Sequence, residues 1–256
     1  MEQRKLYISD LHFEHINVTR SGTRNFDNRP FLDCDEMRDK IIDKWNAEVT
    51  KADHVYILGD FWWKLNDSNF QLFKDTMNQL NGNKHLITGN HDRVSSKRFC
   101  SFFEEVVPYK EEVDIVNGEP RSVIMSHYYI PFYNQHFRNA IMLHGHSHIS
   151  SESAMERRIT KMLNNQGYKC EIYNVGCMYP YIDYAPRTLQ YIVDNYSEPK
   201  NESDEFNDII QALLQYHSDH PKQSFMDAIY NSALKPITDI NISGMVHRQS
   251  RPQNEV

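Results

Sequence analysis

The sequence predicts an α/β fold in which two packed sheets have helices on their outer faces. Three observations lead to this prediction. In the first part of the chain, short apolar runs of strand type alternate with segments of helical periodicity. In the second part, strand-like runs follow one another with little helical pattern between them. The 256 residues, of which 39% are hydrophobic, are enough to bury the core that such layers require.

The first part of the chain is predicted to alternate strands with helices. Each predicted strand is a short apolar run that stops at a polar residue or a glycine. Each predicted helix has apolar residues at steps of three or four, and the first also has a candidate capping box of Asp33 with Glu36. In chain order, these elements are a strand at 5–9, a helix at about 35–49, a strand at 54–58, a helix at 69–80 and a strand at 84–88.

The second part is predicted to consist mostly of strands. Runs of strand type occur at residues 121–126, 140–143, 170–175 and 188–193. The polar, charged stretch beyond Tyr196 is typical of a linker, and apolar residues further on indicate short helices near 204–217 and 224–234. We therefore predict a catalytic domain at residues 1–196 and a C-terminal helical extension and tail at residues 197–256.

Composition and charge limit the classes of function. Lys plus Arg number 28 against 35 Asp plus Glu, so the net charge is −7 and an extended nucleic-acid duplex is disfavoured as a partner. No run approaches the roughly 18 apolar residues of a membrane span, and the N-terminus lacks the pattern of a signal peptide. We expect a cytoplasmic protein with no membrane partner. The 4 scattered cysteines are expected to be reduced thiols, and nothing indicates the oligomeric state.

Polar residues of metal-ligand type occur repeatedly where a predicted strand ends. The carboxyl ends of strands are where α/β proteins build their sites. In an extended segment, residues two apart point to the same face, so a D-x-H pair and an H-x-H pair can each present two side chains to one cavity. The pattern identifies as candidate metal ligands Asp10, His12, Asp60, Asn90, His127, His146 and His148.

This set of ligands predicts two metal ions. One ion cannot use all of them, whereas two ions that share a carboxylate can, and in hydrolytic sites such ions lie about 3.5–4 Å apart. Nitrogen and oxygen ligands without a thiolate favour divalent transition metals over magnesium or calcium. We expect manganese, while iron, zinc, nickel and cobalt suit the same ligands. Taken singly, each motif can be an ordinary turn or a hydrogen-bonded histidine; the ordered set favours the metal site.

The ordered series D-x-H, G-D, G-N-H-D, S-H and G-H-S-H resembles the motif series of the calcineurin-like metallophosphoesterase superfamily. All motifs of the series are complete, and the match extends from residue 5 to about residue 193. The stretches S-D-L-H-F at 9–13 and R-P-F at 29–31 are similar to those of small bacterial and phage phosphoesterases. The resemblance implies a four-layer αββα sandwich of two mixed sheets.

Carried over motif by motif, the resemblance implies a role for each candidate ligand. One ion would be held by Asp10, His12, Asp60 and His148. The other would be held by Asp60, Asn90, His127 and His146. The resemblance also implies that His91 is the catalytic histidine and that Asp92 orients it, and it leaves His144 as a supporting residue at a strand end.

These residues predict a dinuclear phosphohydrolase that cleaves phosphodiester or phosphomonoester bonds of small substrates, above all nucleotides. Two ions would activate a bridging hydroxide for attack, and His91 would donate a proton to the leaving alkoxide. Three residues are candidate substrate contacts. Arg29 suits a phosphate oxygen, His15 could line the entrance, and Tyr128 is one of several aromatic residues after the metal motifs that could stack on a base. Ordinary surface or core positions explain these three residues equally well.

Other functions are weighed against the same residues. A nuclease or end-processing phosphatase acting on RNA or DNA is disfavoured by the net charge and by the absence of the long cap region of double-strand-break nucleases. Protein dephosphorylation is disfavoured because 61–63 is F-W-W, where Ser/Thr protein phosphatases have acidic and arginine residues. A non-catalytic scaffold is expected to lose metal ligands, and this chain keeps all of them together with His91.

Overall fold

The structure is a computed structural model that describes residues 3–198. The strands are β1 (Lys5–Ile8), β2 (His54–Ile57), β3 (Asn83–Ile87), β4 (Glu105–Val107), β5 (Tyr109–Val116), β6 (Glu119–Ser126), β7 (Ile141–His144), β8 (Glu171–Asn174) and β9 (Arg187–Thr188). The helices are α1 (Cys34–Glu48), α2 (Phe70–Gln79), α3 (Lys97–Cys100), α4 (Ser151–Asn165) and α5 (Leu189–Asn195). Short 3₁₀ turns occur at Ile16–Val18 and His136–Arg138.

The strands form two mixed sheets. The first has the order β4-β3-β2-β1-β9, in which β1 to β4 are parallel and β9 is antiparallel to β1. The second has the order β5-β6-β7-β8, in which the β5–β6 hairpin is antiparallel and the remaining pairs are parallel. The prediction of two mixed sheets is confirmed.

The second sheet is buried on both faces along the carboxyl half of β6 and along β7. In β6, Val123 and Met125 belong to the main core cluster, which also contains the buried residues of β1 and β2. The residue between them, Ile124, belongs to a second cluster with Leu163 of α4. Because side chains alternate along a strand, one face of this sheet packs on the first sheet and the other on α4. Helices α1 and α2 pack on the main cluster through Met37, Ile41, Trp45, Phe73 and Met77. These layers confirm the αββα sandwich.

The elements of the first part lie where the sequence predicts them. Asp33 caps α1 as expected, since its carboxylate accepts the N–H of Glu36 at 2.9 Å. The reciprocal bond differs from the predicted capping box, because the Glu36 carboxylate accepts the N–H of Leu32 instead of the N–H of Asp33. The start of α1 is therefore held from both sides of its first turn.

The predicted strand at 188–193 is wrong. Only Arg187–Thr188 is a strand, and the chain continues as helix α5 (Leu189–Asn195). Thr188 caps this helix, because its side chain accepts the N–H of Tyr191. The buried residues Leu189 and Ile192 are three apart, which suits a helix. A short apolar run does not distinguish the two structures by its pattern.

Four elements were not predicted from the sequence: β4, β5, the short helix α3 and the long helix α4. Helix α4 buries only Ser153, Ala154 and Leu163 of its 15 residues, although Met155, Ile159, Met162 and Leu163 recur at helical spacing. The predicted helices near 204–217 and 224–234, and the extension at 197–256 apart from its first two residues, lie outside the described residues. Within residues 3–198, no helix has both the length and the apolar character needed to cross a bilayer.

Candidate metal centre and active site

The candidate ligands lie in loops at the carboxyl ends of parallel strands. In the first sheet, Asp10, Asp60 and Asn90 follow β1, β2 and β3. In the second sheet, His127 follows β6 and His146 follows β7, which is parallel to β6. Parallel strands present their carboxyl ends at the same edge, so each sheet contributes ligands from one edge.

The edges of the two sheets meet directly beyond β1 and β8. The N–H of Ser9 donates to the carbonyl of Val175 at 2.8 Å, and the N–H of Cys177 donates to the carbonyl of Ser9 at 2.9 Å. Ser9 also forms an isolated parallel bridge with Gly176. These backbone bonds place the loop of Asp10 beside the loops of the second sheet.

The first group of ligand atoms comes from Asp10, His12 and His148, whose ligand atoms lie within 4.8 Å of one another. The Nε2 atoms of His12 and His148 are 3.2 Å apart. The Asp10 Oδ1 atom lies 3.6 Å from Nε2 of His148 and 3.9 Å from Nε2 of His12. Two ring nitrogens and a carboxylate oxygen therefore face one small space.

The second group comes from Asp60, His127 and His146, again within 4.8 Å of one another. The Nε2 atom of His127 lies 3.6 Å from Oδ2 of Asp60 and 3.1 Å from Oδ1 of Asn90. The side-chain oxygen of Asn90 thus faces the same space as the second group. The Asp60 Oδ2 atom also lies 3.5 Å from Nε2 of His12, so this oxygen faces both groups.

The hydrogen bonds behind the histidines leave their Nε2 lone pairs free for a metal ion. The Nδ1 of His127 lies 2.7 Å from the carbonyl oxygen of Leu58, and the Nδ1 of His148 lies 2.6 Å from Oδ1 of Asp27. Each Nδ1 must carry the proton to donate to these oxygens, which makes Nε2 the acceptor. The Nε2 atom of His148 faces Nε2 of His12 at 3.2 Å, and the buried Nδ1 of His12 has no hydrogen-bond partner among the described residues. A cation bound by both Nε2 atoms suits this close approach. The residues present therefore fit two cations.

Several candidate ligands have a strained backbone. Non-glycine residues rarely adopt positive φ, and each such residue costs about 1–3 kcal/mol. Positive φ occurs at Asp10 (56°), His12 (49°), Asp60 (53°), His146 (69°) and His148 (50°). The expected extended arrangement of D-x-H and H-x-H is therefore wrong: these residues lie in left-handed loops. His146 and His148, two residues apart, belong to different groups.

Two glycines of the motifs allow the carboxylates to approach the backbone. A Cβ atom on Gly145 would lie 2.3 Å from Oδ2 of Asp10, and one on Gly89 would lie 2.3 Å from Oδ1 of Asp60. In their place, the N–H of His146 donates to Oδ2 of Asp10 at 3.0 Å and the N–H of His91 donates to Oδ1 of Asp60 at 2.9 Å. The glycines thus position both carboxylates through backbone hydrogen bonds.

Comparison with known proteins agrees with this geometry. The family model described as calcineurin-like phosphoesterase matches residues 4–178. The chain belongs to this family. As a calcineurin-like phosphoesterase, it has a fold and candidate metal-binding groups that agree with a metal-dependent hydrolase.

Individual relatives cover different shares of this phosphoesterase. An uncharacterised protein of Methanocaldococcus jannaschii is 38% identical over 98 residues, which are 38% of this chain and 52% of that protein. This match therefore spans about half the length of the archaeal protein. The gene 66 protein of Mycobacterium phage D29 is 26% identical over 167 residues, which are 56% of this chain and 77% of that protein.

The fold also resembles a solved structure. The crystal structure of a protein of unknown function from Aquifex aeolicus aligns with a TM-score of 0.53 and 24% identity, over 76% of this chain and 100% of that chain. This likeness is to the fold.

In this phosphoesterase, His91 lies beside Asp60. Its imidazole is 38% exposed, and its Nε2 atom is 3.9 Å from Oδ2 of Asp60. The ring centroid of Trp63 lies 4.5 Å from that of His91. An exposed imidazole at the edge of the two ligand groups is placed to reach a bound substrate.

The predicted role of Asp92 is corrected. Its carboxylate accepts three backbone N–H groups, from Gly89 at 2.8 Å, Phe61 at 2.9 Å and Asp60 at 3.0 Å. Burial raises the pKa of Asp92 to about 6, although these hydrogen bonds oppose the shift. Because its oxygens bond to the backbone of both loops, Asp92 positions Asp60 and does not orient the imidazole of His91.

Arg29 is not a substrate contact, which corrects the prediction. It is fully buried. Its Nε and Nη2 atoms donate to Oδ2 of Asp27 at 2.9 and 2.8 Å, and its Nη1 and Nη2 atoms donate to the carbonyls of Leu11 and Asp10 at 2.8 Å. A guanidinium with these partners has no donor free for phosphate. Arg29 instead holds the loop that contains Asp10.

The other two predicted substrate contacts differ in their access to solvent. His15 is buried and stacks on Trp63, with centroids 3.7 Å apart. Burial lowers the pKa of His15 to about 4, so it is neutral at pH 7. Tyr128 is 48% exposed, and its ring centroid lies 4.6 Å from that of His146. Tyr128 is therefore at the entrance beside the second group, while His15 supports Trp63.

Among the remaining aromatic residues, Trp62 and Tyr133 are buried and cannot stack on a base. Phe26, which the sequence analysis did not single out, is 47% exposed. Its ring centroid lies 5.5 Å from those of His148 and His15. Exposed aromatic rings thus lie beside both ligand groups, Phe26 at the first and Tyr128 at the second.

Asp27 is a site residue that sequence reasoning missed. Its Oδ1 atom holds Nδ1 of His148, and its Oδ2 atom holds Arg29. Burial opposes ionisation of Asp27, but Arg29 and His148 outweigh it and lower its pKa to about 2. The pattern that could have identified Asp27 is its place two residues before Arg29. His144 lies at the end of β7 and outside both groups, in agreement with its predicted supporting place.

Proposed function

We propose that the protein is a phosphohydrolase with two metal ions that cleaves phosphodiester or phosphomonoester bonds of small substrates, above all nucleotides. The observation that supports this proposal most is the position of Oδ2 of Asp60, which is 3.5 Å from Nε2 of His12 and 3.6 Å from Nε2 of His127. One carboxylate oxygen that faces two groups of ligands suits a dinuclear centre.

The seven predicted ligands divide between the two ions. One ion would be held by Asp10, His12, Asp60 and His148, and the other by Asp60, Asn90, His127 and His146. Manganese is the proposed ion, and iron, zinc, nickel or cobalt suit the same nitrogen and oxygen ligands. When bound, two such ions polarise phosphate oxygens and lower the pKa of a water molecule.

The chain's own residues then act on the substrate. His91, exposed and beside Asp60, donates a proton to the leaving oxygen of the ester. Asp92 keeps Asp60 in place through the backbone. Phe26 and Tyr128 provide exposed rings on which a nucleobase can stack, which favours nucleotides over simple phosphate esters.

A non-catalytic scaffold is disfavoured, because each ligand group retains three side chains whose ligand atoms lie within 4.8 Å of one another. Location in the cytoplasm and the absence of a membrane partner stay predictions from the sequence.

A substrate panel tests the proposed function. The full-length protein is reconstituted with manganese and assayed with p-nitrophenyl phosphate, bis-p-nitrophenyl phosphate, cyclic nucleotides and short oligonucleotides. We expect two bound ions for each chain by elemental analysis, hydrolysis of at least one ester and a lower KM for nucleotide esters than for aryl phosphates. A protein that binds no transition metal under saturating conditions contradicts the proposal.

A further inference from the structure

A basic cavity of about 270 Å³ lies between the segment after β2 and the segment after the G-N-H-D motif. Its lining consists of Leu65, Asn66, Asp67, Phe70, Arg93, Ser96, Lys97 and Arg98. Three of these side chains are cationic and one is acidic. This local surplus of positive charge contrasts with the net charge of −7 of the whole chain.

The cations of this cavity are largely unneutralised. Asp67 pairs with Arg98 at 3.2 Å, and the guanidinium of Arg98 lies 3.6 Å from the ring centroid of Phe70. Arg93 donates from Nη1 to the carbonyl of Leu65, which carries no charge. Lys97 has no polar side-chain partner among residues 3–198. Stacking on Phe70 holds Arg98 in place, and the hydrogen bond to Leu65 holds Arg93. The charges of Arg93 and Lys97 remain available to an anion.

The cavity adjoins the His91 side of the candidate active site. Arg93 is two residues after His91, so the Cα atoms of the two residues are at most about 7.6 Å apart. The opposite wall begins at Leu65, two residues after Trp63, whose ring lies 4.5 Å from that of His91. Both walls of the cavity therefore continue from residues at the catalytic imidazole.

We propose that this cavity binds a second phosphate group of the substrate, on the leaving-group side of the bond that is cleaved. The inference rests on the proposed function, which assigns the leaving group to His91. Arginine and lysine side chains that lack a carboxylate partner match the charge and oxygen geometry of a phosphate. The substrate class is then a phosphodiester with a further phosphate beside the scissile one, either in a small phosphorylated nucleotide or in a short single strand.

Matched dinucleotides test this inference. The manganese-loaded full-length protein is assayed with dithymidine that has only its internal diester, and with dithymidine that also has a 5′- or 3′-phosphate, with the products separated by chromatography. We expect at least one phosphorylated form to have a KM about tenfold lower than the unphosphorylated form. The double substitution Arg93→Gln with Lys97→Gln is expected to remove the difference in KM between the phosphorylated and unphosphorylated forms.

A control variant and a further substrate define the outcomes. The substitutions Lys40→Gln and Lys51→Gln remove two exposed cations elsewhere, and the KM difference should persist in that variant. Equal KM values in the wild type, or a difference that survives in the Arg93/Lys97 variant, overturn the inference. If the inference fails but bis-p-nitrophenyl phosphate is hydrolysed, the proposed function still holds. If no substrate is hydrolysed, the proposed function and the inference are both overturned. A KM for hexathymidylate below that of the phosphorylated dithymidine identifies a short single strand as the source of the second phosphate. A KM equal to that of the phosphorylated dithymidine identifies a small nucleotide.

Discussion

Asp60 has the most connected position among the candidate ligands. Its Oδ2 atom faces both ligand groups, its Oδ1 atom accepts the N–H of His91, and its own N–H donates to Asp92. Its φ of 53° is unusual for a non-glycine residue. These hydrogen bonds and the strained backbone restrain Asp60 in a position that faces both ligand groups, so the carboxylate is preorganised for the proposed bridging role.

The first prediction at the residue scale concerns the proton donor. The substitution His91→Ala is expected to lower kcat by a factor of about 10²–10⁴, which is the usual contribution of general acid catalysis. Metal content should not change, because the side chain of His91 belongs to neither ligand group. Elemental analysis and steady-state kinetics measure the two effects, with His136→Ala as a histidine control away from the ligands. Full activity of His91→Ala refutes the assignment.

The second prediction at this scale concerns Asp27, which positions His148. Replacement by asparagine removes the negative charge that holds Nδ1–H of His148, and such partners change metal affinity by about 10–100-fold. We expect Asp27→Asn to weaken metal binding to that extent in a competition titration with a chelator. The change also leaves buried Arg29 without its ion pair, at a cost of about 3 kcal/mol. Lower stability with unchanged metal affinity limits Asp27 to a structural role.

At the scale of elements, the ends of strands decide the position of the site. The strands β1 and β2 are recognisable because each contains a continuous apolar run, which is typical of buried parallel strands. In β3 only Leu86 and Ile87, at its carboxyl end, are apolar. Helix α4 could have been predicted, because Met155, Ile159, Met162 and Leu163 recur at helical spacing. The apolar run of α5 is too short to distinguish a helix from a strand. The left-handed loops could not be predicted from the sequence. Glycine is the residue type that indicates positive φ, and none of the candidate metal ligands is a glycine.

The connection from α1 to β2 provides a pH prediction. Asp53 accepts hydrogen bonds from Arg4, which precedes β1, and from Thr50. Burial opposes ionisation, but these hydrogen bonds outweigh it and hold the pKa of Asp53 well below its usual range. A lowered pKa means that the stabilisation is complete above the unfolded pKa of about 3.9 and is lost as the pH falls below it.

We therefore expect Asp53→Asn to lower the free energy of unfolding by about 2 kcal/mol at pH 7. The difference from the wild type should shrink as the pH falls below about 4, because the carboxyl then binds a proton in the unfolded state while it stays ionised in the folded state. Urea unfolding from pH 7 down to about pH 2.5 measures this trend. Asp39→Asn, at an exposed position of α1, is the control and should change stability little. A difference that stays constant with pH contradicts the role of the charge.

At the scale of the whole molecule, the candidate centre joins the two sheets. Asp10 and Asp60 follow strands of the first sheet, while His127, His146 and His148 follow strands of the second. Each ligand group contains residues from both sheets. Metal binding therefore stabilises the packing of one sheet on the other as well as the loops themselves.

This arrangement predicts that metal removal lowers thermal stability. A ligand at about 1,000 times its Kd stabilises the folded state by about 4 kcal/mol, which for a chain of this size corresponds to a Tm change of about 10 °C. We expect the manganese-loaded protein to lose about this much Tm when a chelator is added, as followed by circular dichroism. Asp60→Ala, which removes the shared ligand, should show little difference with and without the metal. Equal Tm values for the loaded and chelated wild type count against a centre between the sheets.

The sequence by itself determined the fold class, the family and the set of metal-ligand types, because periodicity, residue type and motif order are local properties. Tertiary structure decided how these residues combine. Asp27 holds His148 across 121 positions of the chain, and His12 and His148 bring their Nε2 atoms within 3.2 Å of each other. Arg29, which the sequence suggested as a phosphate contact, donates its hydrogen bonds to Asp10 and Asp27 inside the protein. Distances between residues remote in sequence depend on how the two sheets pack, and no local pattern records that packing.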